Sequence, residues 1–468
     1  MRPDEIQRWL HATQNHNNQE TPLDREPLEI SLDQENADDR ATKRRRLNHL
    51  TPPSSCREIA GNGETKQHRL HRLMPPRTAA MDSPGAAKRR TDDETPRAKR
   101  VQSSSDRSYS LSEQSSHTRS GRTSPLKQML KLRHDPNGLD MRELESFADM
   151  PEELDALLED IQSFVDGKGI VSTSARAALA DAAQSDKSFR WASPSRGSDF
   201  LTDDPTMAGC TPLPEFVLDV KAAAFECSHR NHPEATWNLE VHQPILSMAF
   251  RPPGQRRFRQ LVNFMGTTTA AIIPEYGNPT ISKKVDFCIY VEPENDATLS
   301  SEYRAAAERM RNALPQAVLN FTDFAPLDDR FIALSIETKK PSENVETGQL
   351  QLGVWEMARW KFLRRLAAGH ADDDQGIFAA AAAAAAATRS ARLPAFLPGI
   401  VIQGQEWYMV VTTAEGDRTV LWRKKFIGST AGTRGIYQIV RALQYLGRWV
   451  RDVYWPCVRS MLEQAVMG

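Results

Sequence analysis

The chain has 468 residues, and its 60 Lys and Arg against 61 Asp and Glu give a formal net charge of −1 at pH 7. This balance excludes a partner selected by overall charge, so only local clusters can attract nucleic acid or another charged surface. The five cysteines are odd in number and form no CxxC pair, which argues against a disulfide framework and indicates a reducing, intracellular compartment.

The first 137 residues are rich in Ser, Thr, Pro and Arg and carry no sustained apolar period. Such a segment buries too little apolar surface to offset the entropy of ordering, so we expect a disordered arm. Basic clusters at 43–46 and 88–90 are typical of nuclear import signals, and equally of solvated charge that keeps an arm extended. The first interpretation predicts a protein of the nucleus. The protein partners of the arm are not indicated.

Apolar residues at helical spacing follow the arm and predict an accessory helix over 139–165, within a segment 138–168. Residues 169–211 are again rich in Ser, Asp and Pro, which is typical of a linker. From residue 212 to the end of the chain, tryptophan and tyrosine recur in almost every predicted element. We therefore expect the compact domain to span 212–468.

The domain is predicted to contain helices and strands in the order helix, strands, helix, strands, helix. The predicted helices span 216–228, 235–250, 300–314, 345–368 and 433–455. The predicted strands span 266–273, 285–291, 331–339, 400–413 and 419–426. This order favours an α/β fold with a mixed central sheet flanked by helices. The composition of residues 369–392 predicts a peripheral low-complexity insertion. Their alanine run is too short to span a membrane, so we expect a soluble protein.

Two predicted strands carry charged residues opposite their aliphatic faces. In 285–291 the aliphatic side chains alternate with Asp286, and in 331–339 Glu337 and Lys339 share the face away from the aliphatics. Two carboxylates are enough protein ligands for Mg²⁺ or Mn²⁺, because these ions keep coordinated waters as their other ligands. An ammonium beside them can orient an attacking water and offset the charge of the transition state. The pattern therefore predicts metal-dependent hydrolysis of phosphodiester bonds.

These strands resemble the PD-(D/E)xK nuclease superfamily, and more narrowly a fungal set of nuclease-like proteins, over 216–461. The resemblance implies a restriction-endonuclease-like fold, with Asp286 as the first acid and Glu337-Thr338-Lys339 as the second half-motif. It also implies that the Thr338 carbonyl is a further metal ligand and that the substrate is nucleic acid, DNA in our expectation, cut to leave 5′-phosphate ends. Val285 stands where the superfamily motif has proline. Asp328 and Asp329 are the alternative first acid, in a turn that argues against them.

Two further segments are similar to this superfamily. Gln351 and Trp355 in the helix after the second half-motif resemble the Gln-xxx-Tyr signature of its RecB-like branch, with Trp in place of Tyr. Gln351 then lies at the active-site edge, unless it ends a core stripe in solvent. Residues 236–246 resemble the first helix of these domains, and Glu240 is the candidate glutamate that completes the site. Pro244 disturbs that helix and can displace Glu240.

Less specific interpretations stay open beside this one. The charged set can be an ordinary surface ion pair, and the domain can be a catalytically inactive nuclease fold that binds nucleic acid or acts as a scaffold. Arg434, Arg441 and Arg448 recur at heptad spacing on the last helix, so they can contact phosphates or form a solvated face. Cys227 with its neighbouring histidines lacks the second ligand pair of a structural zinc site.

Overall fold

The computed structural model describes residues 124–207, 210–279, 281–368 and 393–464. The predicted arm up to residue 123 and the predicted insertion 369–392 lie outside the described residues. The end of the predicted arm, 124–137, is not a disordered segment, because it carries the helix Pro125–His134. Ser124 caps this helix by accepting a hydrogen bond from the Lys127 N–H, and a proline suits its first turn.

Helices and strands are interspersed along the described residues. The helices are α1 Pro125–His134, α2 Glu152–Val165, α3 Arg176–Ser185, α4 Pro214–His229, α5 Glu234–Trp237, α6 Gln243–Phe250, α7 Ser301–Ala313, α8 Val345–Ala368, α9 Thr433–Trp449 and α10 Trp455–Gln464. The strands are β1 Leu139–Arg142, β2 Val171–Ser172, β3 Leu201–Thr202, β4 Val262–Gly266, β5 Phe287–Val291, β6 Phe331–Lys339, β7 Leu397–Gln403, β8 Glu406–Glu415 and β9 Arg418–Ser429. No helix among the described residues is long and apolar enough to cross a bilayer.

Seven of the described strands form one mixed sheet in the order β1-β9-β8-β7-β6-β5-β4. The pairs β6–β7 and β1–β9 are parallel, and the other neighbours are antiparallel. The parallel pair β6–β7 needs a crossover connection, and α8 lies within it. The prediction of an α/β fold with a mixed central sheet flanked by helices is confirmed.

Helices cover both faces of the sheet. On one face α8 contacts β6, β7, β9 and the edge strand β1, and α1 also packs against it, so the helix is buried all round from Gly348 to Trp360. On the other face α9 packs on β9 and against α2, α4 and α6. The core surrounds β6, an inner strand of the sheet in which every residue is buried.

The predicted strand at 266–273 is wrong. The strand in this region, β4, ends at Gly266, and the chain turns at Thr267, whose N–H donates to the Asp286 carbonyl and whose hydroxyl donates to that of Val285. The three consecutive threonines at 267–269 favour a strand by their β-branched side chains. The Thr267 hydroxyl binds neighbouring backbone instead, which ends the pairing.

The interpretation of 169–211 as a linker is also wrong for its described part. These residues form β2, α3 and β3, and Ile170, Val171, Leu179 and Phe189 join the hydrophobic core. The predicted helix 139–165 begins only at Glu152, because Leu139–Arg142 pairs in parallel with β9. Both errors have one cause. The apolar residues are sparse locally, and their burial depends on partners more than 200 residues away.

The other predicted elements are confirmed with small changes at their ends. The segment 400–413 is a hairpin, since β7 and β8 are joined by a turn at Gly404. The predicted helix 235–250 contains a π-helical turn at Asn238–His242 between α5 and α6. Pro244 explains this turn, because it has no N–H to donate to Glu240 and its ring clashes with that carbonyl in a regular helix.

Candidate active site

The two half-motifs meet at the end of β6. Phe287 pairs with Ile336 in the antiparallel register of β5 and β6, so Asp286 stands opposite Glu337. Glu337, Thr338 and Lys339 are the last residues of β6, and all of them, like Asp286, are at most 1% exposed. The structure thus brings Asp286 to this strand end, and not Asp328 or Asp329.

Lys339 is surrounded by oxygen acceptors. Its Nζ donates to Glu337 Oε1 at 2.6 Å, to the Thr338 carbonyl at 2.9 Å and to Glu234 Oε2 at 3.3 Å. An ammonium has three protons, so this set of acceptors uses all of them. The Thr338 carbonyl, predicted as a metal ligand, is therefore occupied by Lys339 in this arrangement.

Thr338 also holds Asp286. Oδ2 of Asp286 accepts hydrogen bonds from the Thr338 N–H and from its hydroxyl, both at 2.9 Å. The backbone N–H is available because β5 begins only at Phe287, so it has no strand partner on that side. Thr338 therefore joins the first acid to the strand that carries the second.

Glu234, and not the predicted Glu240, is the glutamate of the first helix that lies beside Lys339. Glu234 is buried and bonded to Lys339, whereas Glu240 is exposed. Glu240 was assigned to the side of Trp237 by regular helical spacing. The π-turn has more residues per turn, so a residue three positions after Trp237 no longer falls beneath it. The signal that identifies Glu234 is its i, i+4, i+8 spacing with Asn238 and His242.

His242 contacts residues that hold the site together. Its Nδ1 lies 3.0 Å from Asn238 Oδ1, and its Nε2 lies 3.3 Å from the Gly404 carbonyl. The Asn238 side chain makes a polar contact that lowers the pKa of Asp286, and the Gly404 N–H donates to the Lys339 carbonyl at 2.7 Å. His242 thus connects to both half-motifs. Burial lowers its pKa to about 4, so the ring is neutral at pH 7.

Gly404 can only be glycine here. Its φ is +56°, in the left-handed region, and a Cβ on this residue would lie 2.4 Å from Cγ of Pro341. The turn between β7 and β8 therefore packs directly on the segment that leaves β6. This close approach fixes the carbonyl that faces His242.

Gln351 is buried on α8, not exposed in solvent. It lies three residues after Gly348, and a Cβ on that glycine would stand 3.4 Å from Cγ of Lys339 and 3.6 Å from Cγ of Glu337. The first turns of α8 therefore form a wall of the site. Trp355, one turn further, packs edge-on against Phe321 with ring centroids 5.1 Å apart.

Burial dominates the electrostatics of the acids. Desolvation raises the pKa of Asp286 and of Glu337, although Lys339 acts in the opposite direction on both. Burial alone would lower the pKa of Lys339, but Glu337, Glu234 and Asp286 outweigh it and raise that pKa well above its ordinary value. When the three acids are ionised, one ammonium leaves the cluster with two uncompensated negative charges.

The acids fit a divalent cation by their chemistry. Oδ1 of Asp286 and Oε2 of Glu337 are buried and make no hydrogen bond of standard geometry among the described residues. Hard carboxylate oxygens are the ligands that Mg²⁺ prefers. Among the described residues no group of three or more His, Cys, Asp or Glu has the geometry of a metal site.

The stripe of Arg434, Arg441 and Arg448 lies on α9 and does not face the site. Arg441 and Arg448 bind Asp204 at 3.3 Å and 2.8 Å, and Arg434 donates to the Asp166 carbonyl. These arginines thus pair with acceptors of residues 166–204, and their contact with phosphates stays a hypothesis. The arginine contacts hold residues 166–204 against α9.

The mixed sheet, its helical layers and the acid–lysine cluster at a strand end define a restriction-endonuclease-like α/β protein. Residues 176–455 match the family model described as the PD-(D/E)XK nuclease superfamily, and the chain belongs to that superfamily. The match begins in the segment that the sequence suggested was a linker. Searches of curated proteins and of solved structures return no match. Proteins of this superfamily are typically nucleases, and they generally use divalent metals such as Mg²⁺.

Proposed function

We propose that the chain is a metal-dependent nuclease that hydrolyses phosphodiester bonds of nucleic acid, with DNA as its substrate. The observation that carries the proposal is the cluster of Asp286, Glu337 and Glu234 around the Lys339 ammonium at the end of β6. Burying these charges is unfavourable in itself. A purely structural role would be served better by apolar residues, which supports a chemical role for the cluster.

Asp286 Oδ1 and Glu337 Oε2 would hold Mg²⁺ or Mn²⁺. A divalent cation matches the two uncompensated charges of the cluster. When bound, the cation acidifies a coordinated water and polarises a phosphoryl oxygen. Glu234 holds Lys339 beside Glu337 and adds negative charge near the ion. The Thr338 carbonyl can join as a ligand only if Lys339 withdraws from it.

Lys339 would orient the nucleophile. Its three protons are shared among protein acceptors, so a substrate phosphate or water has to replace one of them. The bond to Glu234 is the longest of the three, at 3.3 Å against 2.6 Å for the bond to Glu337. We expect the ammonium to turn from Glu234 and to offset charge that develops on the phosphoryl group.

Substrate access requires local opening, because the acids and the lysine are closed off from solvent. The segment 340–344 joins β6 to α8, and Pro341 and Ser342 within it are exposed. Gln403 Nε2 donates to the Glu343 carbonyl at 2.6 Å and ties this segment to β7. Release of that bond is the smallest change that would uncover the end of β6.

Plasmid nicking by the full-length protein tests the proposal. With Mg²⁺ we expect relaxed circles, and we expect a loss of rate of about 100-fold or more for Asp286→Asn and for Lys339→Met. Lys340→Met is the matched control, since this lysine is adjacent to Lys339 and its ammonium lies 3.9 Å from Glu343. Nicking that survives both site variants and a chelator contradicts the proposal.

Metal binding gives a second readout that does not need a correct substrate. Mg²⁺ or Mn²⁺ should raise the melting temperature of the wild-type protein by mass action. Asp286→Asn and Glu337→Gln should abolish this increase. An equal increase in the variants places the ion elsewhere.

A catalytically inactive nuclease fold that binds nucleic acid is the alternative, and the closed site favours it. Salt-sensitive binding without cleavage under any divalent metal would establish it. A location in the nucleus is a further proposal that rests on the basic clusters 43–46 and 88–90. Replacing these clusters by alanine should move a fluorescent fusion out of the nucleus. A fusion that stays nuclear would exclude them as import signals.

A further inference from the structure

A row of paired residues leads across the sheet from the acid cluster. Glu337 pairs with Val401 on β7, Val401 pairs with Tyr408 on β8, and Tyr408 pairs with Phe426 on β9. Directly paired residues project from the same face of a sheet. Strands lie about 4.8 Å apart, so Phe426 stands about 14 Å from Glu337 on the face that also carries α8.

Helix α8 covers only the first part of this row. Gly348 lies over Val401, Leu352 lies over Gly399, and Trp360 Nε1 donates to Thr412. The helix thus runs away from the start of β8 at residues 406–408 and the end of β9 at 426–429. Beyond Val401 no described element covers the row, and Phe426 is 37% exposed.

The uncovered end of the row carries two aromatic rings and a cation. The rings of Tyr408 and Phe426 meet edge to face with centroids 5.8 Å apart, and Lys424 Nζ lies 4.4 Å from the centre of the Tyr408 ring. The Tyr408 hydroxyl donates to Glu406 at 2.6 Å, which fixes the orientation of its ring. We call Tyr408, Lys424 and Phe426 the aromatic platform.

Protection of the sheet edge does not explain the aromatic platform. Beyond Trp422 the outer side of β9 has no partner strand among the described residues, and a lysine there discourages pairing with another chain. An exposed phenylalanine has the opposite effect. A ring that stays exposed beside a cation, in line with a nuclease-type site, fits the π-face of a base and its phosphate.

We propose that the aromatic platform binds an unpaired nucleotide of a nucleic acid strand whose scissile phosphate lies at Asp286 and Glu337. The base stacks on Phe426 and Tyr408, and Lys424 contacts the adjoining phosphate. A base in a duplex has both faces covered by its neighbours, so only a single-stranded or flipped nucleotide can stack here. At about 3.4 Å per stacked nucleotide, the distance of about 14 Å is at most about four nucleotides. The inference deepens the proposed function and rests on it for the position of the scissile phosphate.

Fluorescence anisotropy with the full-length protein tests binding without cleavage. A labelled oligo(dT), an oligo(U) and a duplex of the same length are titrated in a chelator, at one stated salt concentration. Phe426→Ala should weaken binding of the single strands about 10-fold and change duplex binding less than about 2-fold. Phe225→Ala, which removes a ring that is 64% exposed on α4, is the matched control and should bind like the wild type.

Two more variants keep the test decisive if Phe426→Ala unfolds. Phe426→Trp retains a stacking ring and should bind single strands at least as tightly as the wild type. Lys424→Gln should reduce the slope of log K against log salt by about 0.7 for a single strand. Lys187 is an exposed lysine between α3 and β3. Lys187→Gln should leave that slope unchanged.

The outcomes separate the two proposals. Weaker single-strand binding by Phe426→Ala in a protein that cleaves nothing retains the aromatic platform and rejects the hydrolase. Cleavage that is lost with Asp286→Asn while Phe426→Ala and Lys424→Gln bind like the wild type rejects the aromatic platform alone. An equal loss on duplex and on single strands also rejects it, since stacking on an unpaired base would then not be the interaction. Loss on oligo(dT) but not on oligo(U) assigns the nucleotide to DNA.

Discussion

Glu234 Oε2 and Lys339 Nζ lie 3.3 Å apart, although 105 residues separate them in the chain. This contact connects the first helix of the domain to the second half-motif. Glu234→Gln keeps the shape of the side chain and removes its charge, so Lys339 loses one of its anionic partners. We expect the rate of plasmid nicking to fall about 10- to 100-fold with folding intact, as for other residues that orient a metal site.

Glu240→Gln is the matched control for this prediction. Glu240 is exposed and belongs to the adjacent π-turn, so we expect its nicking rate and melting temperature to equal those of the wild type. A larger loss of activity in Glu240→Gln than in Glu234→Gln would restore the assignment made from the sequence.

Thr338→Val should destabilise the protein by about 2 kcal/mol. Valine has the same shape, but it removes the hydroxyl that donates to Asp286 Oδ2 at 2.9 Å and leaves a buried carboxylate with one donor fewer. Urea unfolding measures the loss. Thr338→Ser keeps the hydroxyl and should recover most of the stability, and a serine variant as unstable as the valine one would assign the effect to packing.

His242 should make the stability depend on pH between about 4 and 6.5. Its folded pKa is about 4 and its ordinary pKa is 6.5, so in this range the unfolded chain binds more protons. The contribution of the neutral ring is therefore present above 6.5 and is lost as the pH falls. Denaturant unfolding should show a loss of about 2 kcal/mol from this group between pH 7 and pH 5.

His242→Gln isolates this contribution from other titrating groups. The variant is expected to be less stable at pH 7, and the difference from the wild type should shrink by about 2 kcal/mol at pH 5. A difference that stays constant over this range would mean that folding does not shift the pKa of the ring.

Arg441→Ala should reduce stability without affecting nucleic acid binding. The guanidinium is 7% exposed, lies 4.8 Å from the centre of the Phe164 ring and pairs with Asp204. We expect a loss of about 2 kcal/mol in the free energy of unfolding, because both packing and a partly buried ion pair are removed. Arg451→Ala is the control, since this side chain is 50% exposed and pairs with the neighbouring Asp452. A reduced salt slope of binding in Arg441→Ala would support the phosphate-contact hypothesis.

The central strands and their charged residues were predictable because their signal is local. Alternation of aliphatic and charged side chains identifies Asp286, Glu337 and Lys339, and the structure brings these three together. Glu240 was chosen in place of Glu234 because regular helical spacing was assumed, whereas the π-turn at Asn238–His242 changes the face on which later residues fall. The role of Thr338 as a donor to Asp286 depends on where β5 begins, which no sequence pattern specifies.

The early segments were missed for a different reason. Ile170 and Phe189 have few apolar neighbours in the sequence, and their burial depends on residues near the other end of the chain. The arginine stripe shows the same limit. Heptad spacing predicts a common face, but not whether acids of another segment, such as Asp204, already occupy it.

Parallel pairing of Leu139–Arg142 with Thr419–Trp422 has a practical consequence for anyone dissecting this protein. A fragment cut at residue 176, where the family match starts, would lack this strand and expose the backbone donors and acceptors of β9 along its whole length. An unpaired, hydrophobic sheet edge of this kind pairs readily with other chains. If that fragment aggregates, we would attribute the aggregation to the loss of the edge strand β1. Fragments for expression should therefore begin before Ser124.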